Sequence, residues 1–171
     1  MSPSDIDPGP ERDDESVSRL RRLLTGQRFA VLATRQEGGH PYTSLLGYGV
    51  DDQLQRLVFA TLRTTRKFAN LQAEPRVALL VDDRDNVETD LQEAAAATVL
   101  GRAEEIVGAE RQREVARFVA RHPAMADFVS SPGCALMGVA VEAYYLVTRF
   151  QNVIEIYPDH GDLRTADPQA R

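Results

Sequence analysis

The chain has 171 residues, a length that favours one domain, and 43% of them are hydrophobic, enough for a core at this size. A net charge of −6 argues against a broad nucleic-acid surface. One cysteine, Cys134, excludes an internal disulfide, and no apolar run reaches the roughly 20 residues of a membrane span.

Residues 1–14 are rich in Pro, Asp, Gly and Ser and read as a disordered tail. They lack the basic-then-apolar order of a secretory signal, so a cytoplasmic protein is expected. Over 16–24, Val17, Leu20, Leu23 and Leu24 recur at helical spacing, with Gly26 as a stop. Strands follow at 29–34 and 41–50, joined by the Glu37-Gly38-Gly39 turn. Asp51-Asp52-Gln53 makes the next turn, and 57–61 is a third strand. A short helix over 65–73 must end before Pro75, because the residue before a proline avoids helical geometry.

The strand at 76–81 is rich in Val and Leu, and 82–93 reads as a polar, acidic loop. A long strand over 94–106 carries Gly101, which marks a bulge or bend. Helices at 109–121 and 124–129 precede strands at 135–147 and 153–156, and a flexible tail begins at 158. Hairpin-linked strands with few helices predict a mainly β (α+β) fold, a closed antiparallel barrel with peripheral helices spanning 15–157.

One segment concentrates chemistry. After the strand ending at Thr61 come Arg63, Thr64, Thr65, Arg66 and Lys67, where a helix begins. Its first N–H groups lack intrahelical partners and carry partial positive charge. The hydroxyls can cap the helix, and the cations can grip a phosphate. Each charge-assisted bond contributes roughly 1.5–3 kcal/mol. A micromolar ligand needs about 8 kcal/mol. The other reading is a solvated basic helix start, since no Gly-rich phosphate loop is present.

Other residue types point to little chemistry. His40, His122 and His160 lack metal-ligand spacing, and no metal is expected. His40 reads as exposed, and His122 sits at a helix end, where a cation is favourable. The acids of 82–90 lack the register of a calcium loop. Ser44 has no evident His/Asp partner. Cys134, in an apolar run, reads as a buried small residue rather than a nucleophile. Tyr144 and Tyr145 fall on opposite faces of one strand.

Taken in order, Phe29-Ala30-Val31-Leu32-Ala33-Thr34, Gly39-His40-Pro41-Tyr42-Thr43-Ser44, Leu57-Val58-Phe59-Ala60-Thr61, Thr65-Arg66-Lys67, Asn70-Leu71 and Pro75-Arg76-Val77 resemble the pyridoxamine 5′-phosphate oxidase-like FMN-binding split-barrel family. The resemblance implies a six-stranded split barrel that dimerises with two FMN molecules at its interface. It implies that the strand bearing Thr43, Ser44, Leu45, Leu46 and Tyr48 runs along the flavin ring. Thr61 would approach the ring or ribityl chain. Thr65, Arg66 and Lys67 would hold the phosphate, with Arg63 and Thr64 assisting.

Departures separate the chain from the pyridoxamine-phosphate oxidases proper. Ser44 and Gly49 stand where those enzymes carry Arg and Lys, a flavin-contacting Gln is replaced within 94–97, and Trp is absent. The segment Arg149-Phe150-Gln151-Asn152 is either a tight turn or a projection toward the partner's flavin, with Arg149 near the ring. The expected function is an FMN-dependent oxidoreductase, a homodimer that uses a small substrate or nicotinamide donor and neither nucleic acid nor membrane. The alternatives are a non-catalytic flavin-binding or sensing protein, or a barrel that takes F420 or haem. No side chain stands out as a general acid or base, which hydride transfer tolerates.

Overall fold

The computed structural model describes residues 10–149, 152–159 and 162–166, with side chains from Glu15 onward. Alternation rules its first strand. In β1 (Phe29–Arg35), Ala30, Leu32 and Thr34 are buried and the residues between them are not, the period of a strand with one face on a core. β1 lies between β2 (Pro41–Val50) and β4 (Arg76–Asp82), antiparallel to both. β4 pairs with β5 (Ala96–Glu105), β5 with β6 (Cys134–Thr148), and β6 with β3 (Arg56–Leu62). With β2 paired to β3, the six strands close on themselves. Closure pairs each barrel strand with a neighbour on both sides over at least part of its length.

β6 is 15 residues long and serves two neighbours, β3 near its start and β7 (Asn152–Asp159) at its end. Between those two stretches its register with β5 shifts at Leu100/Gly101. A Cβ on Gly101 would collide with the Ala140 carbonyl, so glycine is required there, as the bulge expectation demanded.

Inside the barrel, Leu32, Leu46, Tyr48, Phe59, Leu79, Val99 and Tyr144 form the main core, and Leu20, Leu23 and Leu24 of α1 (Pro10–Gly26) pack against it. A second core lies outside the wall. There Val58 and Leu136, from the other face of β3 and β6, meet Phe118 of α4 (Gly108–Arg121) and Val129 of α5 (Ala126–Ser130). β3 is therefore buried on both faces.

The mainly β barrel with peripheral helices matches the sequence expectation. Four differences are local. α1 begins at Pro10, inside the stretch expected as tail, and a strand β8 (Asp162–Ala166) pairs with β7 inside the stretch expected as the C-terminal tail. A one-turn helix α3 (Asp90–Glu93) occupies part of the acidic loop. His122 is buried rather than presented at an open helix end. Phe150, Gln151 and His160 lie outside the described residues.

Candidate functional site

The barrel is closed but split. β2 pairs with β3 only over Tyr48, Gly49 and Val50, although β2 begins at Pro41 and β3 runs on to Leu62. Past Tyr48 and Phe59 the two strands part. On its other side β2 stays paired to β1 from Pro41 to Gly47. Tyr48 N–H bonds Arg28 O on the β1 side. Alternate residues of a strand direct their backbone groups to opposite edges. The N–H and C=O groups of Thr43, Leu45 and Gly47 therefore point into the fork, along an edge that no strand among the described residues pairs over 41–47.

A cavity of about 370 Å³ opens in this fork. Leu45, Leu46 and Gly47 line it from β2, and Ala60, Thr61 and Leu62 from β3. Thr65 and Lys67 complete the side formed by α2 (Arg66–Ala73). Thr65 is the N-cap, and its Oγ1 accepts from Phe68 N at 3.4 Å. The same oxygen donates to Leu62 O at 2.8 Å and lies 2.9 Å from Thr61 Oγ1. The N–H groups of Arg66 and Lys67, ahead of it in the first turn, have no protein acceptor among the described residues. Asn70 Nδ2 donates to Thr34 Oγ1 at 2.9 Å in the interior and fixes α2 against β1.

The cations of this segment are divided. Arg63 is ion-paired with Glu105 and lies 5.9 Å over the Phe68 ring. Arg66 donates to Gln36 Oε1 at 2.9 Å and stacks 5.8 Å over Tyr42. Lys67 lines the cavity and makes no ion pair or hydrogen bond among the described residues.

The remaining wall comes from the helical segment between β5 and β6, as Phe118, Met125 and Phe128, with Phe29 of β1 at the mouth. Its placement is fixed by contacts to β2. Arg121 Nε donates to Tyr48 O at 3.1 Å, and His122 Nε2 donates to the same oxygen at 2.8 Å. Arg121 also bonds Leu24 O and Gln27 O. A Cβ on Gly47 would sit 3.2 Å from the His122 ring, so the absent side chain admits the imidazole.

Five of the residues singled out from sequence line this cavity: Leu45, Leu46, Thr61, Thr65 and Lys67. Thr43 and Ser44 share the strand without lining it, and Thr64 is exposed beside it. Arg63 and Arg66 are engaged elsewhere, as described. Tyr48 is fully buried in the barrel core, its hydroxyl donating to Leu24 O at 2.7 Å, and burial pushes that phenol well above its ordinary pKa. Arg149, with φ 46°, follows β6 in a turn and does not line the cavity. Cys134 is buried, which raises its thiol pKa. Sequence reasoning missed Gly47, Phe118, Met125 and Phe128, because nothing local links residues 108–130 to β2.

A six-stranded antiparallel barrel whose split holds a polar helix start and an open strand edge defines the class of split β-barrels. The family model described as pyridoxamine 5′-phosphate oxidase matches residues 17–148, and the chain belongs to that family. Solved structures agree on the fold. A heme binding protein from Mycobacterium smegmatis has a TM-score of 0.76 at 18% identity, with 90% of this chain and 60% of that one covered. The Agrobacterium tumefaciens protein Atu2129, described as of unknown function, has a TM-score of 0.73 at 24% identity, with 85% and 61% covered. This chain thus spans about three fifths of the length of those two. A FAD-binding protein from Mesorhizobium loti has a TM-score of 0.62 at 20% identity, with 77% and 93% covered. No curated protein matches the sequence. No helix among the described residues is long and apolar enough to cross a membrane.

Proposed function

We propose that the chain is an FMN-binding flavoprotein, an oxidoreductase that works as a homodimer. The carrying observation is that one cavity joins an unpaired strand edge to a helix start bearing a partnerless lysine. The donor set fits the cofactor. Lys67 and the free N–H groups of Arg66 and Lys67 would hold a phosphate, and Arg66 can join them by leaving Gln36. Thr61 and Thr65 offer hydroxyls to a ribityl chain. The backbone groups of Thr43, Leu45 and Gly47 offer alternating donors and acceptors to the edge of a flat heterocycle. Ser44, where the pyridoxamine-phosphate oxidases carry Arg, leaves that recognition to the backbone.

The bound flavin would supply hydride transfer. The chain's part is to bind and orient it and to exclude water. That last task calls for a second copy: Leu45 is 73% and Phe29 61% exposed at the cavity mouth. Exposed apolar surface beside a site marks an interface. Flavin is favoured over haem by the lining, which offers one Met sulfur and no imidazole, thiolate or phenolate.

The test is direct. Purified protein should be yellow and release FMN on denaturation. Lys67→Ala, and Arg66→Ala more modestly, should weaken FMN by about 10- to 100-fold while changing riboflavin affinity little, as expected for lost charge-assisted bonds. Equal losses for both ligands would remove the phosphate assignment. A colourless protein that takes up no added FMN would remove the flavin reading. Anaerobic reduction by NADH or NADPH separates an enzyme from a flavin-binding sensor.

A further inference from the structure

We propose that the side of the cavity walled by Phe118, Met125 and Phe128 binds an uncharged, planar apolar compound, the reaction partner of the flavin, and that Met125 and Phe128 select it. This rests on the FMN reading above.

Charge is the first argument. Lys67 is the one charged side chain among the described residues lining the cavity, and the FMN phosphate uses it. A second anion, such as the phosphate of a pyridoxamine phosphate, would find no counter-charge among the lining residues of this subunit. Burying an unpaired charge is prohibitive. The wall also carries no carboxylate to meet a cation.

Shape and rigidity are the second argument. Phe118 and Phe128 present aromatic rings and Met125 a thioether, groups that pack well against another ring. The wall is built rather than loose. Phe118 is 2% exposed and packs on His122, with ring centroids 4.8 Å apart and planes tilted by 37°. Arg121 and His122 fasten the end of α4 to β2. Arg111 Nη2 donates to Val129 O at 2.9 Å and holds α5. A pre-formed apolar wall recognises a rigid partner with little ordering cost. Phe118 belongs to the second core, whereas Met125 and Phe128 are half-buried and form the adjustable part of the surface.

The experiment titrates FMN-loaded protein with a methylnaphthoquinone and with the same ring bearing a sulfonate, by calorimetry. The neutral probe should bind at least about tenfold more tightly. Phe128→Lys and Met125→Lys should reverse that preference while FMN affinity stays within about threefold. Circular dichroism identifies a variant that fails to fold, and the other then carries the test. Equal binding of both probes by the wild type would overturn the proposal. So would parallel loss of FMN and probe in the variants, which would assign the wall to the cofactor. If the protein takes up no FMN, the flavin reading fails separately, and the same titration of the apo chain still shows whether the wall prefers the neutral ring.

Discussion

Single residues carry sharp constraints in this barrel. Gly101 faces the Ala140 carbonyl and the Val139 side chain at the β5–β6 bulge. Gly101→Ala should destabilise the protein by about 1–3 kcal/mol, read as a lower urea midpoint, because backbone must move to admit the methyl. Tyr48→Phe removes the donor to Leu24 O and should cost about 1 kcal/mol in the same assay, with FMN affinity unchanged if Tyr48 serves only the core. The sequence marked Tyr48 for the ligand because it lies on the right strand; the period of two turns it inward, opposite to Leu45 and Gly47. At the surface, hydrogen bonds from the Arg76 side chain and backbone hold the Glu74 carboxyl at about 2. Its contribution to stability is therefore complete above about pH 4.5 and is lost as pH falls through 2. The stability difference between wild type and Glu74→Gln should shrink over that window and be flat above it.

At the scale of elements, α2 was legible because its signals are local. A capping hydroxyl, a basic first turn and a proline after the end fall within about a dozen residues, and Thr65 does cap the helix. Thr65→Ala should cost about 1 kcal/mol and also remove the hydroxyl that meets Thr61. What the local pattern could not apportion is where the cations go. Arg63 turns to Glu105, 42 residues away, and among the described residues Lys67 is the cation left facing the cavity without a partner. The segment from α4 to α5 was readable as helix from its amphipathic spacing but not as a wall of the site. Its attachment depends on Arg121, which gathers three carbonyls from α1, the turn after it and β2. Arg121→Ala should speed amide exchange in α4 and at Tyr48, whose N–H bonds Arg28 O, more than in β4 or β5, since the released segment would open locally.

For the whole molecule, the outer face of the sheet matters most. Val31 stands directly between Leu45 and Leu80 across three strands, and with Phe29 they form an apolar stripe at the cavity mouth. If the proposed homodimer forms through this stripe, Leu45→Asp with Leu80→Asp should yield a monomer by sedimentation equilibrium where the wild type is a dimer, and weaken FMN alongside, while circular dichroism stays native. The sequence by itself determined the strand segments of a mainly β barrel, the helix start that suits a phosphate and the glycine at the bulge, because each rests on period, capping or backbone freedom within a short window. The tertiary structure alone decided where β2 and β3 part, which cation stays free and which helices wall the cavity. Those outcomes depend on contacts such as His122 to Tyr48, 74 residues apart, which become visible only once the barrel has closed and brought the two together.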